Sequence, residues 1–221
     1  MHAFISTLFA AAIFVAPALP AQSPEQTVDR AVAAYAKIRT IRATFTQRIT
    51  NPLTRSDVVS QGEMQQRIPG QIAVHFTDPA GDRIVADGKV VWVYLPSTNP
   101  GQVIRTQLGS SGTTSVPDVT AWFLDSAKTR YRIADGGTTT IEGHATRAVV
   151  LTPRDPSIPF TKATVWVDNS DGLIRQFETT DTNGLTRRVT IKKLTPNAKL
   201  DPGVFTFTVP KGVKVFEQAP S

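Results

Sequence analysis

Apolar residues near the start of the chain recur at helical spacing and then, within a few residues, at every second position. Val28, Val32, Tyr35 and Ile38 fall at intervals that place them on one side of a helix. Ser23 stands where an N-cap is needed, and Pro24 and Glu25 suit the first turn. From Ile41 the period changes to two, with Ile41, Ala43, Phe45 and Ile49 on one face. That change predicts a helix feeding directly into a sheet.

The two-residue period then repeats. Ile72, Val74 and Phe76 alternate with Ala73 and His75, and two apolar runs at 83–86 and 90–95 flank Asp87-Gly88-Lys89. Such a flank predicts a tight hairpin, because glycine accepts the positive φ these turns need. The same signal returns at Glu142-Gly143, Asp171-Gly172 and Asn183-Gly184, with strands at 165–167, 174–177 and 189–191 between or after them. Closely spaced hairpins predict a mainly β protein with an antiparallel sheet curled into a barrel or half barrel. The middle of the chain departs from this. A small-residue loop at 109–115 precedes Pro117 and Asp118, which open a short amphipathic helix carrying Val119, Trp122 and Phe123. A short helix on a glycine-rich hinge reads as a lid or plug; the other reading is a helix packed outside the sheet.

The first residues bear on compartment. Ala3 to Val15 is apolar except for Ser6 and Thr7, and 17–21 is rich in proline and small residues. This predicts a cleaved signal peptide over 1–21, followed by one domain over 22–221. The chain has no cysteine, so a lipidated cysteine, disulfides and thiolate metal ligands are all excluded. The formal charge of +6 favours acidic partners or anionic surfaces. The basic residues are dispersed and carry no aromatic stripe, which argues against nucleic acid.

No catalytic constellation emerges. Beyond residue 21 the chain has two histidines, His75 and His144, neither with a carboxylate at useful spacing. There is no His-x-x-x-His pair, nucleophile elbow or phosphate-binding glycine loop, so no metal or cofactor is expected. Asp168 and Asp171 bracket a turn and read as turn residues.

Four stretches, in order, resemble the LolA family of periplasmic outer-membrane lipoprotein carriers. The first is the N-terminal helix with Ile41 to Gln47, similar to the family's helix and Phe-x-Gln strand. The second is Arg67-Ile68-Pro69-Gly70 leading into Ile72, Val74 and Phe76. The third and most specific is Ile84 to Tyr94, and the fourth is Leu200 to Val213 with its Phe-x-Phe and Pro-x-Gly-Val ending. Together they span roughly Ser23 to Val215.

The resemblance implies an unclosed antiparallel half barrel with helices over its mouth, as in LolA and LolB. It implies a soluble, unlipidated, monomeric periplasmic carrier that is not an enzyme. Its cargo would be acylated lipoproteins, taken from an inner-membrane LolCDE-type transporter and given to an outer-membrane LolB-type acceptor. The acyl-chain cavity is then expected at Phe45, Ile72, Val74, Phe76, Val91 and Val93, with Val119, Trp122 and Phe123 as lid. Arg67 is expected to latch that lid when no cargo is bound, its guanidinium having donors for several carbonyls. Ile68 is an extra residue between Arg67 and Pro69, and a shift of one residue in a strand reverses side-chain direction. The neighbouring alternative is a periplasmic lipid-sensing protein of the MucB/RseB type, whose second C-terminal domain is not expected here. A periplasmic hydrolase on a curled sheet is the alternative from another class.

Overall fold

The computed structural model describes residues 23–108 and 120–218. Helix α1 (Pro24–Tyr35) begins with a complete capping box, in which Ser23 Oγ accepts from the Gln26 N–H and Gln26 Oε1 accepts from the Ser23 N–H. Its buried face is Thr27, Val28, Ala31 and Tyr35, whereas Val32 is exposed. The helix therefore turns Ala31, rather than Val32, into the core.

The strands follow as β1 (Thr40–Asn51), β2 (Ser56–Arg67), β3 (Gln71–Asp78), β4 (Ala80–Asp87), β5 (Val90–Tyr94) and β6 (Gln102–Gln107). After a five-residue π-helical turn (Thr120–Leu124) and helix α2 (Ala127–Arg130) come β7 (Tyr131–Ile141), β8 (His144–Pro153) and β9 (Lys162–Asp168). The last described elements are β10 (Ile174–Thr180), β11 (Thr186–Pro196), a 3-10 turn (Pro202–Phe205) and β12 (Lys214–Gln218). All form a single sheet of 12 strands in the order β12-β6-β5-β4-β3-β2-β1-β11-β10-β9-β8-β7. With β12 and β7 at its two edges, the sheet curls without closing. The predicted hairpins form β4–β5, β7–β8, β9–β10 and β10–β11. The antiparallel expectation fails at one place, where β12 runs parallel to β6.

Period two divides the sheet into faces. Ile41, Ala43 and Phe45 stand opposite Gln66, Met64 and Gly62, so these share the concave face with Val74 and Ile84 further along. Over β7 to β10 this face is filled by α1, the π-helical turn and the buried side chains of Phe123, Phe160 and Phe177. The β9–β10 turn tucks beneath α1. A Cβ on Gly172 would stand 3.0 Å from Arg30 O and 3.1 Å from Ala34 Cβ, and φ there is +74°, so both space and backbone demand glycine. On the convex face the 3-10 turn crosses β3 and β4, burying Phe205, and Phe207 stacks on Trp92 at 5.4 Å. No described helix is long and apolar enough to cross a membrane.

Candidate functional site

Where the helices stop covering the concave face, a cavity of about 330 Å³ remains between β1, β2, β3, β4, β10 and β11. Phe45, Val74 and Phe76 line it, together with Met64, Ile84, Phe177, Val189 and Ile191. The walls are built by cross-strand pairing: Val74 faces Met64 on one side and Ile84 on the other, and Phe45 faces Ile191. Phe45 and Phe76 meet edge to face, with centroids 5.8 Å apart, a favoured aromatic geometry. Phe45 lies over Gly62, where any side chain would intrude.

The other expected cavity residues lie on the same face but not in the cavity. Ile72 and Val91 both oppose Ala86, next to the β4–β5 turn, and are buried in the core at 3% and 2% exposure. Val93 packs partly buried against that core. Period two fixes the face of a residue, but its height along the strand decides whether it meets core or cavity. Sequence reasoning missed Met64, Ile84, Phe177, Val189 and Ile191. Ile84, Phe177, Val189 and Ile191 sit on strands already visible by their alternation. Met64 sits on β2, where the facing positions Ser60, Gly62 and Gln66 are not hydrophobic and hide the period.

Of the expected lid, Val119 lies outside the described residues. Phe123 is 1% exposed, with its ring 5.3 Å from Phe177 and 6.0 Å from Phe160. Trp122 sits 6.4 Å from Phe160, and its carbonyl accepts from the Tyr131 hydroxyl. Burial pushes the Tyr131 phenol up from its ordinary value, so it stays a donor. Phe177 is thus shared, touching Phe123 on one side and the cavity on the other.

Arg67 goes elsewhere. It pairs with Thr40 and Gln71 in the sheet, donates to Gln71 Oε1 at 3.0 Å and lies over the Phe205 ring at 5.1 Å. Phe205 belongs to the convex side, whereas Trp122 and Phe123 pack over the concave side. The physical reason is the residue after it: Ile68 packs against the core, and alternation then points Arg67 outward. The structure does not bring Arg67 to the described lid residues.

Among the described residues no group of three His, Asp or Glu side chains could hold a metal ion. The most buried charge cluster is structural. Asp168, 2% exposed, accepts from the Ser170 N–H and hydroxyl and from Arg175 Nε at 2.9 Å, and His144 Nδ1 lies 2.7 Å away. Arg175 also binds Asp171, whose other oxygen accepts from the Leu173 N–H. Burial pushes the Asp168 carboxyl up, but the Ser170 hydrogen bonds and Arg175 outweigh it and hold the group well below the usual carboxylate range.

The chain that forms this apolar cavity on a curled, unclosed sheet matches a known family in sequence. Residues 36–208 match the family described as outer membrane lipoprotein carrier protein LolA. The chain belongs to the LolA family. It is a family of carriers rather than enzymes, and its compartment is the periplasm. An outer-membrane lipoprotein carrier protein of Klebsiella pneumoniae is 29% identical over 182 residues, covering 82% of this chain and 83% of the relative. One of Serratia proteamaculans is 29% identical over 184 residues, covering 83% and 84%. Among solved structures, an uncharacterized conserved protein from Thermus thermophilus superposes with a TM-score of 0.55 at 13% identity, covering 89% of this chain and 100% of that one. The MucA/MucB complex of Pseudomonas aeruginosa gives 0.51 at 15% identity, covering 84% of this chain and 61% of that one. At those identities the likeness is one of fold alone.

Proposed function

We propose that the cavity receives acyl chains of lipoproteins, and that the protein carries them across the periplasm from an inner-membrane LolCDE-type transporter to an outer-membrane LolB-type acceptor. The observation that carries this reading is the cavity itself: a pocket walled by Phe45, Met64, Val74, Phe76, Ile84 and Val189, in a chain of the LolA family. Its volume lies at the lower end of the roughly 300–1,000 Å³ typical of small-molecule sites. Each methylene taken from water contributes about 0.8 kcal/mol, so acyl chains need an apolar enclosure to leave one membrane for another. The half barrel supplies that enclosure without a bilayer, and the part of its concave face that no described helix covers gives a way in and out.

The test is to purify the protein from the periplasm and identify co-purifying acylated molecules by mass spectrometry. Lipoproteins, or their acyl chains, are expected. Val74→Asp places a charge on the cavity wall; it should abolish co-purification and raise the dissociation constant of an apolar fluorophore. A folded Val74→Asp protein with unchanged probe affinity and unchanged cargo overturns the reading.

A further inference from the structure

The cavity contains six polar side chains: Gln47, Ser60, Asp82, Ser97, Thr98 and Arg187. Five are satisfied by the protein. Gln47 Nε2 donates to Ser60 Oγ at 3.1 Å, Asp82 accepts from the Ser97 N–H at 3.0 Å and from its hydroxyl at 2.6 Å, and Thr98 donates to Leu95 O. Arg187 alone has no hydrogen-bond or ion-pair partner among the described residues. It lies on β11 in step with Val189 and Ile191, and stands opposite Ile49 on β1 and Thr179 on β10, so its side chain belongs to the concave face. Its neighbour Arg188 points to the other face and is paired with Glu178.

A partly buried guanidinium beside apolar walls is costly unless something compensates it, because a charge removed from water needs a partner. Burial draws Arg187 below its ordinary value, and no charged group offsets this. The carboxylate that shares the cavity, Asp82, stands on β4, with β3, β2 and β1 between the two, and its oxygens are already occupied. The five donors of a guanidinium suit a bidentate oxyanion.

We infer that Arg187 is a subsite for a carboxylate attached to the ligand whose acyl chains occupy the cavity, so that the protein recognises an anionic amphiphile rather than a neutral one. The inference rests on the acyl-chain reading above. Such a carboxylate has two sources, a free fatty acid or an acidic side chain beside the acylated cysteine of a lipoprotein.

The test uses displacement of an apolar fluorophore from the mature protein. The competitors are hexadecanoate, its methyl ester, and triacylated cysteinyl peptides with Glu or Ser after the cysteine. A charge-assisted pair should make hexadecanoate bind roughly tenfold to a hundredfold more tightly than its ester. Arg187→Gln should erase that preference while leaving the ester's affinity unchanged, and Arg187→Lys should keep part of it. Because Arg187 has no partner to lose among the described residues, Arg187→Gln should melt no lower than the wild type. A preference for the Glu peptide over the Ser peptide assigns the subsite to the lipoprotein chain; a preference confined to hexadecanoate assigns it to free fatty acid. Equal affinity of acid and ester in the wild type, or a preference that survives in Arg187→Gln, overturns the subsite but leaves the cavity standing. Failure of every acyl competitor, the ester included, overturns the acyl-chain reading and the subsite with it.

Discussion

Phe45 lies across Gly62 on the neighbouring strand: a Cβ placed on Gly62 would stand 2.9 Å from Phe45 Cζ and 2.6 Å from the His75 carbonyl oxygen. The width of the cavity at Phe45 is therefore set by the missing side chain of another residue. Gly62→Ala should push the Phe45 ring toward Phe76 and strain the β2–β3 pairing. Overpacking of this kind costs about 1–3 kcal/mol, which thermal denaturation would show as a lower Tm. Apolar probe affinity should fall as well, and more than in a control such as Gly101→Ala, whose Cβ would meet nothing within 4 Å.

The pairing of Asp168 with Arg175 makes a prediction about pH. A carboxyl held below its ordinary pKa in the folded state contributes stability that is fully present above the unfolded value of about 3.9 and is lost as pH falls toward the folded value. Asp168 is such a group. The urea midpoint of the wild type should decline as pH drops below about 4, and Asp168→Asn should show a weaker decline from a lower starting point. Arg175→Met leaves the buried carboxylate without its cation and should cost about 3–5 kcal/mol at neutral pH. Equal pH slopes in wild type and Asp168→Asn would show that this carboxylate does not drive the acid transition.

Much of the fold is legible in the chain because its signals are local. The α1 cap, the hairpin glycines and the period-two strands each sit within a few residues, and they suffice for a curled meander. Strands β2 and β12 are not legible in this way. The concave positions of β2 are Ser60, Gly62, Met64 and Gln66, chosen to make room for Phe45 and to hydrogen-bond, so hydrophobic alternation disappears. β12 is exposed throughout and is held by parallel pairing to β6, 112 residues away, as in Arg105 with Glu217. The cavity is half legible. Phe45, Val74 and Phe76 follow from face and position, whereas separating them from Ile72 and Val91 needs their height along the strands, since Ile72 and Val91 both oppose Ala86 beside the β4–β5 turn. Arg187 carries no sequence signal, since two adjacent arginines look alike until β11 sends them to opposite faces.

Arg67 offers a test of which side of the sheet it serves. With its guanidinium on Gln71 and the Phe205 ring, Arg67→Leu should loosen the C-terminal segment on the convex face. The expected loss is about 1 kcal/mol, the scale of one hydrogen bond and one partly exposed cation–π contact. Hydrogen exchange should quicken at Val204 to Phe207 and stay unchanged at Phe123 and Leu124. Transfer of cargo to an acceptor should proceed at the wild-type rate. Slowed transfer with normal exchange at the C-terminal segment would instead mean that Arg67 acts on the lid in a conformation other than this one.

The lid residues lead to the last prediction, through Phe177. Phe123 fills the space behind that ring, and the turn carrying Phe123 is tied down by the Tyr131 hydroxyl on the Trp122 carbonyl. Tyr131→Phe removes that tie while keeping the ring stacked on Phe160. The Trp122 carbonyl, itself partly buried, loses its donor, so stability should drop by about 1–2 kcal/mol. If the turn yields when acyl chains enter, the closed state is the one weakened, and ligand binding shifts by the difference between the two states. Tyr131→Phe should then bind an apolar fluorophore faster and more tightly than the wild type in stopped-flow measurements, despite being less stable. Phe123→Ala goes further, because it empties the volume behind Phe177; it should cost about 3–5 kcal/mol and enlarge the space open to ligand. Slower or weaker probe binding in Tyr131→Phe would mean that this turn is a fixed part of the wall and that ligand enters by the open concave half past Ile49 and Val58.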